Sequence, residues 1–262
     1  MTDATTLRPR AIGRWGWLFL ALLGLSSAGF AALGIWQVQR LSWKTDLIER
    51  VEARTRAQPV AVPAPALWPT VNAAAHEYLR VQLQGQWKQT PAGGKPADIW
   101  VRTGSELGWG YWLMSPLQTS EGFWVIVNRG FVPAEQRSAV AAQMQNTVQA
   151  AAPGDVRITG LLRMSEASRL LRANDLEQGR WAARDVPVMA QAMGLGAGQV
   201  APFFVDASAE TATTATARPE WPRPGLTVVR FSNNHLSYAL TWFALAALCA
   251  GGCWLLLRAR NS

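Results

Sequence analysis

His235 carries the most pointed chemistry in this sequence. It heads a charge-free run to Leu257, 23 residues in all, enough helix to cross a hydrocarbon core of about 30 Å. On a helix, Tyr238, Ala239 and Trp242 fall at i+3, i+4 and i+7 from it, on the same face. An imidazole that can ligate a metal or exchange a proton therefore stands beside flat aromatic surface near a membrane interface. Asn233 and Asn234 precede it where a helix start takes side-chain caps. Arg258 and Arg260 close the far end, at the negative pole of the helix.

Other reactive constellations are sparse. His76 is the only other histidine. No Gly-x-Ser-x-Gly elbow, Ser-x-x-Lys pair, zinc-ligand spacing or phosphate-binding loop occurs, so no enzyme is expected. Both cysteines, Cys249 and Cys253, lie at i, i+4 inside the second apolar run. Two such thiols could take a soft metal such as Cu(I), but small packing residues are far commoner in membrane helices. The interior of the chain has no cysteine, which rules out a disulfide framework there.

The elements that must position His235 begin with a second apolar run, Trp15 to Ile35, 21 residues without charge. It continues seven residues past Ser26-Ser27-Ala28, the one stretch resembling a cleavage site, and so suits an anchor better than a signal peptide. Trp15, Trp17 and Trp36 read as interfacial belts. Gly24, Ala28 and Ala32 form a small-xxx-small stripe, matched by Ala247 and Gly251, and predict the helix–helix contact. Helical spacing of Leu33, Trp36 or Gln37, Arg40 and Lys44 projects the first helix beyond the membrane. Alternating acids and bases from Asp46 to Arg54 suit a solvated surface. Pro59, Pro63, Pro65 and Pro69 then end the helix in an extended linker over 58–69.

The middle of the chain reads as strands. Leu79 to Lys88 alternates apolar or glycine with polar residues, a half-buried strand, with Ile99 to Thr103 as its partner after the turn at Pro91 to Gly94. Trp109 to Leu117 and Phe123 to Val127 make a hairpin across Thr119-Ser120-Glu121-Gly122, and Asn128-Arg129-Gly130 after its second strand reads as a turn in which Arg129 ties loops together. A helix over 137–149, a strand over Val156 to Arg163, a short helix over Asp185 to Met193, and late strands at Phe203 to Val205 and Thr227 to Phe231 follow. Thr211 to Pro224 reads as a loop. The tryptophans at 87, 100, 109, 112, 124 and 181 are expected mainly in the core.

The expected fold class is therefore a membrane protein of α+β type, with two transmembrane helices flanking one mainly antiparallel β external domain with a few helices. The segments are a tail 1–14, a first span 15–36, an external domain 37–231 with its β-rich core from about 77, a second span 235–257 and a tail 258–262. Tails of 14 and 5 residues are expected to hold no output module, which sets aside a receptor. Of the net charge of +8, the residues outside 36–231 supply five basic and one acidic side chain. That excess suits anionic lipid at the bilayer, and no basic stripe interleaved with aromatics points to nucleic acid. The tail arginines favour cytoplasmic ends, but Arg40, Lys44, Arg50 and Arg230 lie near the opposite face, and so long a connection escapes the charge rule.

Three groups of residues now carry a resemblance. They are Gly34-Ile35-Trp36-Gln37 with Arg40 and Lys44; Val127-Asn128-Arg129-Gly130-Phe131-Val132-Pro133; and Asn233-Asn234-His235-Leu236 with Tyr238-Ala239 and Thr241-Trp242. Together they resemble the surfeit locus protein one (Surf/Shy) family of cytochrome c oxidase assembly factors, in order along nearly the whole chain. The resemblance implies a bacterial inner-membrane protein with a periplasmic domain that helps mature the haem a centre of oxidase subunit I, with haem a synthase as a further partner. Some relatives bind haem a through the histidine of the closing motif, here His235. On that reading His235 is the axial ligand of the haem iron, and Tyr238 and Trp242 form an aromatic wall. Trp36 and Gln37 face them from the other helix, and Arg40 or Arg230 pairs with the propionates. A second axial ligand would be His76, a second copy of His235, or a group of the oxidase. The plainer role for an interfacial histidine is a cap or a hydrogen bond within the domain.

Overall fold

The computed structural model of the protein describes residues 13–89, 97–150, 155–169, 173–196, 198–212, 220–226 and 233–261. The expected turn at 91–94, the strand at 227–231 and Arg230 lie outside them. The chain forms two compact units. One holds the N-terminal helix up to Arg50 together with the C-terminal helix, and the other is Val51–Val229.

Helix α1 runs unbroken over Arg14–Arg56 and α5 over His235–Asn261. Both are long and apolar enough to cross a membrane. Between Ile35 and Arg56 the sequence has neither glycine nor proline, so nothing stops α1 at the end of its apolar part. It ends three residues before Pro59. The boundary of the second unit therefore falls at Val51, later than the expected position 37.

In that unit β1 is Val60–Ala61, α2 Ala73–His76, β2 Arg80–Trp87, β3 Ile99–Ser105, β4 Gly108–Thr119 and β5 Trp124–Pro133. They are followed by α3 Arg137–Ala150, β6 Val156–Met164, α4 Val186–Ala192 and β7 Val200–Ala212. The sheet order is β1-β2-β6-β7-β5-β4-β3, and a further pairing of β2 with β4 closes β2, β6, β7, β5 and β4 into a ring. Most neighbours are antiparallel; β5–β7 and β1–β2 are parallel. The protein is thus an α+β membrane protein with a mixed, largely antiparallel sheet.

Ring closure depends on Gly85, which pairs with Val156 of β6 on one side and Thr119 of β4 on the other. A Cβ there would lie 1.9 Å from the Gln118 carbonyl oxygen, so only glycine lets β2 turn from one partner to the other. Period-two alternation fills the ring. Val81, Leu83, Val125, Val127, Ile158, Phe203 and Val205 point inward. Ile126 and Phe204, on the opposite face, are covered by Val186 and Met189 of α4 and by Met193 just after it. Asp185 caps α4 by accepting the Val188 N–H.

Several expectations are corrected. Ile99 to Thr103 pairs with β4, not with the strand over Leu79 to Lys88, through a two-residue connection at Glu106-Leu107. Closing so short a loop costs less chain entropy than reaching back to β2. The proline segment is not a bare linker: β1 adds to β2, and a 3-10 turn over Pro65–Thr70 sets the Trp68 ring edge-on to Phe123. Trp109 is 73% exposed and is not a core residue. Asn128-Arg129-Gly130 is strand, not turn. Asn128 pairs across to Asp206, and its Nδ2 donates to the Asp206 carboxylate at 2.8 Å. Arg129 binds Glu210 through two donors and stacks over Trp87, so it ties strands rather than loops. Asp206, 3% exposed, also receives Arg163 at 2.8 Å and Arg184 at 3.2 Å.

Candidate functional site

The site lies in the helical unit, where α1 and α5 pack antiparallel along one seam. On α1 the seam runs Leu23, Ser27, Phe30, Gly34, Gln37 and Leu41; on α5 it runs His235, Ala239, Trp242, Ala246, Cys249 and Cys253. Both follow alternating steps of four and three residues, the spacing of helix pairs in a left-handed supercoil. The layers are specific. Ser27 Oγ donates to the Ala246 carbonyl at 2.9 Å, and Phe30 stacks on Trp242 with ring centroids 5.6 Å apart. A Cβ on Gly34 would lie 2.6 Å from the Phe243 ring, and Cys253 Sγ reaches the Leu20 carbonyl at 3.8 Å.

The predicted stripe of Gly24, Ala28 and Ala32 is exposed, and a Cβ on Gly24 would meet nothing within 4 Å. The small residues that matter are Gly34, Ala239 and Ala246, which alternate with the bulkier Phe30, Trp242 and Phe243. Small against large lets the backbones approach while the rings fill the remaining space.

At one end of this seam His235 Nδ1 lies 2.7 Å from Gln37 Oε1. Gln37 is 9% exposed, and Ala239, one turn below His235, is 2% exposed. An amide oxygen can only accept, so the imidazole donates through Nδ1. No described residue hydrogen-bonds Nε2. Asn234 begins α5 by giving its carbonyl to the Tyr238 N–H at 3.2 Å. Asn233 Oδ1 is buried and has no hydrogen-bond partner among the described residues, an acceptor that a donor on a bound molecule could fill.

The remaining predicted residues divide. Trp242 is near the seam but packs face to face with Phe30 rather than standing free beside the imidazole. Tyr238 and Trp36 are 56% and 53% exposed, on the outer flanks of their helices. Neither makes a hydrogen bond or ring contact to His235 among the described residues. Arg40, one turn beyond Gln37, lays its guanidinium over Trp43 at 4.4 Å. Arg230 is outside the described residues. Phe30 and Gly34 are additions, and the four-three spacing that links them to Gln37 is the signal that finds them. His76 lies in the other unit, where its Nδ1 accepts the Asn72 N–H at 3.3 Å. No cluster of three or more His, Cys, Asp or Glu side chains suited to a metal ion occurs among the described residues.

Comparison with known proteins adds a family. The model of the SURF1 family matches residues 25–247, from the first helix to the second. Among curated proteins the chain is 31% identical to "Surfeit locus protein 1" of Homo sapiens, over 82% of this chain and 69% of that one. It is 32% identical to a "SURF1-like protein" of Drosophila melanogaster, over 88% and 74%. A "SURF1-like protein" of Monosiga brevicollis is 31% identical over 95% and 90%.

Proposed function

The chain belongs to the SURF1 family, and from that premise we propose that it is an assembly factor for a haem-copper cytochrome c oxidase. It acts by binding rather than by turnover, and its cargo is haem a on the way to subunit I. The protein resides in the bacterial inner membrane with the β-rich unit on the periplasmic side. Subunit I is its main partner, with haem a synthase as the source of the cargo.

The observation that carries this reading is the His235–Gln37 pair held between two membrane-length helices. A titratable, hydrogen-bonded side chain in that setting costs free energy to bury, and such residues are retained where they bind or transfer something. The donor set fits the cargo: Gln37 engages one imidazole nitrogen and no described residue bonds the other, as an axial haem ligand requires. Iron bound there would supply the coordination bond, and the chain's own residues do the rest. Gln37 orients the ring, the Phe30–Trp242 stack supports the seam beneath it, and Tyr238 and Trp36 present aromatic surface at its flanks. Arg40 offers a cation to a carboxylate at the interface.

The test is the visible spectrum of the full chain, purified in detergent from cells that make haem a, beside His235→Ala. Wild type should carry stoichiometric haem a and the variant should lose it. If neither binds haem, or both bind it equally, the carrier reading fails. Capture of subunit I by both proteins would then mark a scaffold for an assembly intermediate.

A further inference from the structure

We infer that Gln37 is a positioning residue that sets the tautomer and ring plane of His235, so that Nε2 is the ligating atom. The consequence for haem rests on the reading above, but the tautomer itself does not. In a neutral imidazole one nitrogen carries the proton and the other the lone pair, and the hydrogen bond made by one decides the role of the other. Gln37 Oε1, 2.7 Å from Nδ1, is an acceptor only. Its side chain is buried in the helix contact, so water competes poorly for the Gln37 oxygen. The imidazole therefore keeps its proton on Nδ1, the reverse of the preference of a free histidine side chain.

The pairing also fixes where Nε2 points. Nδ1 and Nε2 lie on opposite sides of the five-membered ring, so a bond that draws Nδ1 toward α1 turns Nε2 away from the helix contact. A ligand reaching Nε2 then approaches from outside the seam, where Tyr238 and Trp36 are exposed. Because Gln37 belongs to α1 and His235 to α5, the ligating nitrogen is defined only when the two helices are paired. Partners of this kind behind a metal-binding histidine change metal affinity by about 10–100-fold when removed.

The experiment uses the full chain in detergent with 15N-labelled histidine. Only two imidazoles contribute, and His76→Gln leaves His235 alone. In wild type we expect the protonated nitrogen to be Nδ1. Gln37→Leu should lose that preference, and Gln37→Glu should keep it, with a stronger hydrogen bond seen as a downfield shift of the Nδ1 proton. Ser27→Ala, which removes a different interhelical hydrogen bond (Ser27 Oγ to the Ala246 carbonyl) without touching the imidazole, should leave the tautomer as in wild type. In haem-loaded protein, Gln37→Leu should weaken binding about 10–100-fold. A wild-type Nε2–H tautomer, or no change in Gln37→Leu, overturns the inference. If Gln37→Leu does not fold, an Nε2–H tautomer in Gln37→Glu does so instead. Expected tautomers without any haem in the purified protein would sink the carrier reading alone. Haem lost in His235→Ala with a tautomer indifferent to Gln37 would sink this inference alone.

Discussion

Asp206→Asn tests whether the buried charge at the waist of the ring organises the β-rich unit. Asp206 is 3% exposed and accepts from three side chains: Asn128 Nδ2 at 2.8 Å, Arg163 at 2.8 Å and Arg184 at 3.2 Å. Removing one member of a buried ion pair costs about 3–5 kcal/mol, because the partner charge is left in low dielectric. Both arginines here keep a second carboxylate, Glu77 for Arg163 at 2.8 Å and Glu166 for Arg184. The cost therefore belongs toward the lower end. The amide that replaces the carboxylate, however, presents N–H groups to a guanidinium that is itself donor-only, so it does not vanish. We expect a loss of about 3 kcal/mol, an average over these opposing effects. For a domain of this size that lowers Tm by about 6–12 °C. The assay is thermal unfolding of the detergent-solubilised full chain, followed by tryptophan fluorescence, with Asp175→Asn as control. Asp175 pairs with Arg180 at 2.8 Å on the surface, where ion pairs are screened, and its loss should leave Tm unchanged. Equal Tm values for Asp206→Asn and wild type would refute the claim that the charge cluster holds the strands.

Burial raises the Asp98 carboxyl above its ordinary value, against the opposing pull of the Ser115 hydroxyl bond and Arg129. The folded state therefore holds the Asp98 proton more tightly than the unfolded chain. Its favourable contribution is present below the unfolded pKa and is lost as pH rises through the folded one. Asp98→Asn should match wild type in acid and be at least as stable at neutral pH, which urea titrations at several pH values will check; a variant less stable at neutral pH contradicts this. Gly130 has φ of +135°, and a Cβ there would lie 2.3 Å from the Arg223 carbonyl that accepts the Phe131 N–H. Gly130→Ala should cost at least about 2 kcal/mol, read in the same thermal assay. In a background lacking Cys249 and Cys253, cysteines at Ser27 and Ala246 should cross-link readily. Gly34→Leu should suppress that cross-link and Gly24→Leu should not; the opposite order would restore the small-residue stripe as the contact.

Much of the fold was legible where the signal is local. The alternation from Leu79 to Lys88, the hairpin across Thr119 to Gly122 and the short helix from about Asp185 each depend on a few adjacent residues, and each appears in the structure. What was not legible depends on residues far apart. Ring closure needs Gly85 to meet Gln118, and the charge cluster joins Asn128, Arg163, Arg184 and Asp206 from different elements. No spacing rule along the chain connects them. Asn-Arg-Gly has the composition of a turn, and only the burial of Asn128 against Asp206 makes it strand. At the candidate site, antiparallel helices explain why Gln37 lies at the depth of His235, but the hydrogen bond between the two side chains is read from the structure alone. The aromatic wall did not follow, because a residue on the same face as His235 can still be claimed by the neighbouring helix, as Phe30 claims Trp242.

The seam explains why packing and chemistry cannot be separated here. Two patterns compete on α1: a four-residue stripe of Gly24, Ala28 and Ala32, and the four-three series from Leu23 to Leu41. The stripe drifts around a helix of 3.6 residues per turn, whereas a 3.5-residue repeat stays with a supercoiled partner. Only the second series contains both polar residues that need an interhelical partner, Ser27 and Gln37, and each finds one on α5. The cysteines obey the same pattern. Cys249 and Cys253 stand on the seam at its four-residue step, and Cys253 already engages the Leu20 carbonyl, so their spacing is accounted for by packing. Register is what couples the layers. A one-residue slip of α5 would turn His235 about 100° around its helix, break its bond to Gln37, and in the same movement separate Phe30 from Trp242. The register that buries Ala239 and Ala246 is therefore the one that pairs His235 with Gln37, and anything that alters the small residues must alter the imidazole as well.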